Sequence, residues 1–501
     1  MLEYMLAGML NCFSFINIAS AMGGLAIGIF FGVLPGFSAT MAVSVFVPFS
    51  FWLEPAAALL MLSGLYCGAI YGGAITAILL GIPGTPASVP TTFDGVILAR
   101  QGKVGHALGV ATYVSATGGF ISGLALLFGA PVLALLALMV GPPEQFALTV
   151  FGLSVVCILT KGNILKGILI GVFSLILSCV GQDPINAYPR FTFGIHEIIT
   201  GLPLIPILIG AFSLPEVFKM IEEGIKKQRT VMAKVDKVRV TLHDIKHTFG
   251  NMIRSALIGV GVGIIPAAGP DIAAFISYNQ AVSSSKDPKS FGKGNIQGVV
   301  AGETANSACT GGSLIPLLTL GIPGSAPAAL YLGALYIHGL RPGGQLFTDN
   351  ADITYTLLVG FCLINILVFG MGILFCRVAS RVATISSIIL VPTILILTMV
   401  GAFAMQQSVL DIWIMFLSGV IAFFLTKYDF PISPIALGLI LGPIMEQSYG
   451  LSMIMFRGDV LMFFTRPMAL AFFAMAIFSL IWPMISEMIF KKKAPITNSD
   501  A

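Results

Sequence analysis

In a chain of 501 residues, 57% hydrophobic and 10% charged, charge falls far below the roughly one quarter found in soluble domains, so water is not the main solvent. The net charge of +4 is small and the basic residues sit in short patches, which excludes the basic stripe of a nucleic-acid binder. Cys12, Cys67, Cys157, Cys179, Cys309, Cys362 and Cys376 are spread singly through apolar segments, excluding a disulfide framework or a zinc cluster.

Residues 1–31 carry one charge, Glu3, and no Lys or Arg. The basic n-region of a secretory signal is missing, and the segment is expected to stay as membrane structure. The apolar run ends at Gly28-Ile-Phe-Phe-Gly32-Val-Leu-Pro35, followed by Ser38 and Thr40. A second interruption, 80–86 (LGIPGTP), follows Gly72-Gly73 and brings Thr76, Thr85 and Ser88. Proline removes a backbone donor and stops the preceding helical turn, and glycine lets the chain turn sharply or approach a ligand. In hydrocarbon such backbone must be covered by protein or line a cavity, so each break predicts a broken helix or re-entrant hairpin.

Runs such as 108–140 and 357–375 have the length of about 20 apolar residues that a crossing needs, and about 10–12 transmembrane segments are expected. Lys and Arg are absent before Arg100, then crowd into 219–246, with Lys219, Lys226, Lys227, Arg229, Lys234, Lys237, Arg239 and Lys246. By the positive-inside rule this linker is cytoplasmic, as is the tail with Lys491, Lys492 and Lys493.

Beyond the linker the first pattern returns. Gly259-Val-Gly-Val-Gly263-Ile-Ile-Pro266 repeats the 28–35 skeleton at an offset of 231, and Gly311-Gly312 with 320–327 (LGIPGSAP) repeats 72–86 at offsets of 239 and then 240. The growth fits one insertion, with the polar stretch 283–290 as candidate. Two repeats with matching breaks point to a transporter's binding site. The expected division is a first transmembrane repeat over 1–218, a basic cytoplasmic linker over 219–250, a second repeat over 251–490 and a polar tail over 491–501. Linker and tail on one side demand an even number of crossings between them, which either parallel repeats or inverted repeats plus one extra helix satisfy, the second being preferred.

Half-helix N-termini at the breaks present free N–H groups and a positive dipole end that suit a carboxylate, and unwound carbonyls suit a cation such as sodium. The candidate substrate and ion ligands are Ser38, Thr40, Gly81, Pro83, Gly84, Thr85, Thr304, Asn306, Gly321, Pro323, Gly324 and Ser325, with Ser307, Ser313 and Thr319 nearby. Asp271 and Glu303 are the candidates for cation coupling, because an ionisable group inside the bilayer is functional by default. Asp94, Glu144, Asp183, Asp411 and Glu446 are expected at loop edges. His106, His196, His243, His247 and His338 form no visible proton relay, which favours sodium over protons. No phosphate-binding loop, nucleophile elbow or zinc helix is present, so neither ATP hydrolysis nor enzyme chemistry is expected in this chain, and no cofactor or resident metal.

The segments 71–88 (YGGAITAILLGIPGTPAS) and 302–329 (GETANSACTGGSLIPLLTLGIPGSAPAA) resemble the signature regions of the large membrane subunit of tripartite tricarboxylate transporters. The blocks 189–194 (PRFTFG), 291–300 (FGKGNIQGVV), 337–343 (IHGLRPG) and 439–447 (LILGPIMEQ) extend the resemblance over nearly the whole chain. It implies an all-α integral membrane protein, a permease of the bacterial inner membrane. It also implies a small four-helix membrane partner, a periplasmic solute-binding protein, and ion-gradient-driven import of di- or tricarboxylates such as citrate with sodium or a proton as coupling ion. The motif places substrate contact on the two Gly-Ile-Pro-Gly loops and on Thr304, Ala305 and Asn306. By analogy with transporters built from re-entrant hairpins, the bundle bearing both breaks moves against a scaffold. A passive channel or a binding-protein-independent carboxylate carrier is the alternative.

Overall fold

The structure is a computed structural model that describes residues 2–159, 164–223, 237–266, 268–382, 385 and 387–490. It is helical almost throughout: α1 (Leu2–Cys12), α2 (Phe15–Val33), α3 (Ala39–Phe46), α4 (Pro55–Leu80), α5 (Val89–Arg100), α6 (Val104–Ala137), α7 (Pro142–Leu159), α8 (Ile164–Ser178), α9 (Leu204–Glu223), α10 (Leu242–Ile264), α11 (Gly269–Ser283), α12 (Ile296–Leu320), α13 (Ala326–Ile337), α14 (Ala351–Val382), α15 (Ser387–Gln406), α16 (Val409–Lys427), α17 (Ser433–Met455) and α18 (Pro467–Phe490). Seven of these are long and apolar enough to cross a membrane, among them α2, α4, α6 and α14, and four shorter apolar helices accompany them. The protein is a multi-pass membrane protein. Lys226, Lys227, Arg229 and Lys234 of the linker, and Lys491, Lys492 and Lys493 of the tail, lie outside the described residues.

The chain forms two compact units: 1–139 with 203–428 makes one, 140–202 with 429–501 the other. Both copies of the repeated pattern lie in the first unit. α2, α3, α4, α5 and α6 correspond to α10, α11, α12, α13 and α14.

Close helix contacts fix the register. A side chain at Gly28 would meet the backbone of Leu65, and one at Gly259 that of Ala305; Gly32 faces Ala69 and Gly72 as Gly263 faces Cys309 and Gly312. The offset is therefore 240 from Leu65 onward, which corrects the 239 read at the double glycines: Gly72 matches Gly312, and Gly73 matches Ser313. With the 3-10 turn Pro48–Trp52 that continues it, α3 is about as long as the 15-residue α11, so the added length lies in the segment 284–295 before α12, which holds most of the polar stretch 283–290. Small residues let these backbones approach, as interfaces between membrane helices require.

Orientation follows from the same contacts. Gly118 and Ser122 of α6 meet Thr304 and Gly311 of α12 in parallel order, and Gly360 and Gly372 of α14 meet Leu60 and Tyr71 of α4 likewise. Against this, Gly119 and Gly123 of α6 meet Asn365 and Cys362 of α14 in antiparallel order. Equivalent helices run in opposite directions, so the repeats are inverted.

The second unit holds α7, α8, α17 and α18, with a two-stranded antiparallel ladder, β1 (Gly181–Gln182) and β2 (Pro189–Arg190). Arg190 donates a bidentate pair of bonds to Glu446 on α17 at 2.6 and 3.0 Å and lies 3.4 Å from Asp183. That pins the 181–199 loop, in which Ala187, Phe191 and Phe193 hold positive φ.

Candidate functional site

Each Gly-Ile-Pro-Gly segment is a reversal. α4 ends at Gly81 with φ 68° and α12 at Gly321 with φ 73°, left-handed values that glycine adopts at no steric cost. The chain then runs back alongside its own helix, and Gly84 N–H donates to Gly73 O at 3.4 Å as Gly324 N–H donates to Ser313 O at 3.3 Å. A new helical segment starts there in each copy: a 3-10 turn at Pro86–Ser88 leading into α5, and α13. Two half-helix N-termini thus lie inside the unit. Gly73 is level with the first and Tyr66, which reaches the second, lies seven residues earlier on α4. At 1.5 Å per residue the two breaks are about 10 Å apart along the helix.

The expected reason for glycine at 84 and 324 was close approach to a ligand, and the geometry gives another. A Cβ on Gly84 would strike the Gly32 carbonyl and come within 2.6 Å of Thr76 Oγ1; one on Gly324 would strike the Gly263 carbonyl and lie 2.8 Å from Ser313 Cα. Each break is wedged between two helices of its own repeat.

Around the first break polar groups gather from both repeats. Thr85 Oγ1 lies 3.3 Å from Ser88 Oγ, and both hydroxyls fill the space left by the missing side chain of Gly73. Glu303, fully buried on α12, accepts a hydrogen bond from Thr91 on the first repeat, and the Ser88 hydroxyl stands beside it. Asn306 Nδ2 stands 3.5 Å from its other oxygen. Thr304 Oγ1, Asn306 Oδ1 and Ser307 Oγ are buried with no hydrogen-bond partner among the described residues, an arrangement that calls for explanation because buried polar atoms are nearly always paired. Of the predicted residues, Thr85, Glu303 and Asn306 are brought together, and Thr304 is next to them in sequence on the α6 side of α12. Thr91 was missed, although Thr85, Ser88 and Thr91 recur every third residue, the spacing that lines one helical face.

The second break differs. Ser325 caps α13 by accepting the Ala328 amide at 3.3 Å, and Tyr66 Oη reaches Ser325 Oγ at 2.9 Å and Ser313 Oγ at 3.3 Å. The start of α11 touches this break, Gly269 N–H donating to Gly324 O at 3.2 Å, and Asp271 stands in its first turn. Pro83 and Pro323 sit within the reversals. Ser38 is spent on capping α3, accepting from Met41 N–H at 3.0 Å, and Thr40 follows in the first turn; neither joins the Glu303 group.

Glu144 and Asp411 begin α7 and α16, and Asp183 and Glu446 hold the 181–199 loop. Asp94 departs from the loop-edge expectation. Fully buried on α5, it accepts Gly294 N–H at 2.9 Å, Asn295 N–H at 2.8 Å and Tyr278 O–H at 2.9 Å. It thereby fastens the first repeat to the start of α12, where a negative charge complements the helix dipole.

A model of the tripartite tricarboxylate transporter TctA family matches residues 18–437. An Agrobacterium vitis protein described as an uncharacterized 52.8 kDa protein in the TAR-I ttuC' 3' region is 33% identical over 485 residues, 97% of this chain and 96% of that protein. A second from the same organism, described as an uncharacterized protein in the TAR-II ttuC' 3' region, is 29% identical over 239 residues, 48% of this chain and 99% of its own length. No solved structure matches.

Proposed function

The chain belongs to the tripartite tricarboxylate transporter TctA family, and we propose that it is the permease of an ion-gradient-driven importer that takes a di- or tricarboxylate such as citrate across the bacterial inner membrane. A periplasmic binding protein delivers the substrate, and a small four-helix membrane subunit completes the assembly. The observation that carries this reading is the pair of reversals buried in the interior of one unit. Helix N-termini there offer N–H groups to an anion without placing a basic side chain in the membrane. The candidate substrate contacts are the turns 81–85 and 321–325. Inversion of the repeats supports alternating access, because two copies of opposite direction can exchange conformations to open the site to either side.

The test is uptake into proteoliposomes holding this chain with its small partner and charged with a sodium gradient, a proton gradient or neither. Labelled citrate should accumulate only with a gradient present and the cognate binding protein outside. Accumulation that ignores the binding protein would remove the three-component part, and downhill equilibration without accumulation would make the protein a channel.

A further inference from the structure

The inverted repeat allows an internal comparison: any position on α4 can be checked against its counterpart 240 residues on. Glu303 corresponds to Ser63, Asn306 to Tyr66, Thr85 to Ser325 and Thr91 to Tyr331. Contacts follow this correspondence, since Thr91 bonds Glu303 in one half and Tyr331 Oη lies 3.0 Å from Ser63 Oγ in the other. The two halves therefore build the same site twice with different contents.

In the Ser63 copy a serine stands where the other copy has Glu303, and the hydroxyls of Ser63, Tyr66, Ser325 and Tyr331 are satisfied. Tyr66 reaches across to Ser313 and Ser325, Ser325 caps its helix, and Tyr331 O–H donates to Leu59 O at 2.9 Å. That copy is plugged. In the Glu303 copy the tyrosine is replaced by the shorter Asn306, Thr85 caps no backbone N–H of the turn it precedes, and Asn306 Oδ1 is wholly buried with no partner among the described residues. Among the described residues, the side chains that bond or stand beside Glu303 are neutral: Thr91, Ser88 and Asn306. A buried carboxylate with neutral neighbours and an unpaired amide oxygen beside it is costly, and the missing partner is positive and accepts several oxygens.

We propose that this asymmetric pocket is a single site for a monovalent hard cation, sodium, held by the Glu303 carboxylate, Asn306 Oδ1 and the hydroxyls of Thr85 and Ser88, and that its mirror image binds none because Tyr66 fills it. Oxygen donors of this kind select hard cations, and the neighbouring reversal adds unwound carbonyls of the type that coordinate sodium in other transporters. Thr85 and Ser88 come from the first repeat and Glu303 and Asn306 from the second, so the ion bridges the two and is released only when they part. Its role as coupling ion rests on the transport reading; its binding does not.

The experiment is therefore a binding measurement on the purified full chain in nanodiscs without any carboxylate. Thermal unfolding is followed against sodium concentration at constant ionic strength, with potassium and choline as replacements, at two pH values. Wild type should show a saturable rise in unfolding temperature specific to sodium, and direct binding of radioactive sodium should saturate near one ion per chain. Glu303→Gln and Asn306→Ala should weaken the sodium response at least tenfold, while Tyr66→Phe keeps it. A wild type indifferent to sodium but responsive to pH would make Glu303 a proton site and overturn the proposal, as would an undiminished response in Glu303→Gln. If the variants fail to fold, the radioactive sodium measurement on wild type decides alone. A negative result leaves carboxylate import standing, because that is read by uptake.

Discussion

Gly84 and Gly324 show how a single missing Cβ supports the reversal around it. Each lies between the start of its repeat and the helix it doubles back on, at distances no side chain fits. Because the obstacle is backbone, which cannot rotate away, Gly84→Ala and Gly324→Ala should cost at least the 1–3 kcal/mol typical of overpacking. The expected outcome is a lower unfolding temperature in detergent for either variant, with uptake lost through structure. Gly23→Ala supplies the contrast: in α2 it meets nothing within 4 Å, and alanine is the better helix former by roughly 0.5–1 kcal/mol, so its stability should be unchanged or improved. An unfolding temperature for Gly84→Ala equal to wild type would show that the reversal does not pack as described.

Among the elements, the two broken helices were legible because Gly-Ile-Pro-Gly is a strong local signal that survives in isolation. The register between copies was not, since Gly72-Gly73 in one half and Gly311-Gly312 in the other suggest an offset that only the contacts of Gly28 and Gly259 correct. The Glu303 group was legible in part: a carboxylate in an apolar run announces itself, whereas the partners Ser88 and Thr91 sit more than 200 residues away. The second unit, which joins 140–202 to 429–501, left no trace in sequence order. Its 181–199 loop depends on charge. Hydrogen bonds from the amides of Asn186 and Ile185, and then Arg190, hold the Asp183 carboxyl below the usual range. A carboxyl whose folded value is depressed adds stability above its unfolded value, near 3.9, and loses it as pH falls through the lower one. The loop should stay closed from neutral to weakly acidic pH and open below about pH 4, read as loss of hydrogen-exchange protection over 181–199. Arg190→Ala removes the bidentate bond to Glu446 and, after screening at this half-exposed position, should raise local opening roughly fivefold at neutral pH, on the order of 1 kcal/mol.

For the whole molecule, inversion and charge together orient the protein. Arg239 N–H bonds Gly105 O at 3.3 Å and Gln101 Nε2 bonds Lys293 O at 3.4 Å, so the segments 101–105, 237–241 and 284–295 share one end of the first unit. Arg100, Lys103, Lys237, Arg239, Lys286, Lys289 and Lys293 lie there. The other end of α6 reaches Gly344, where Leu138 packs on it, and the 338–350 segment at that end holds Arg341 as its one Lys or Arg. By the positive-inside rule the first end is expected to be cytoplasmic. Since 284–295 precedes α12 and 338–350 follows α13, the second Gly-Ile-Pro-Gly segment must connect one face of the membrane to the other, and the first, being inverted, must do so in the opposite sense. Single cysteines at Ser284 and Thr348, in a chain whose native cysteines are changed to serine, should therefore react with a membrane-impermeant maleimide from opposite sides. Thr348→Cys should label in intact cells, and Ser284→Cys only in inside-out vesicles. Both positions are exposed, so a failure to label from the expected side cannot be blamed on burial, and labelling of both from one side would mean that the chain does not cross between them.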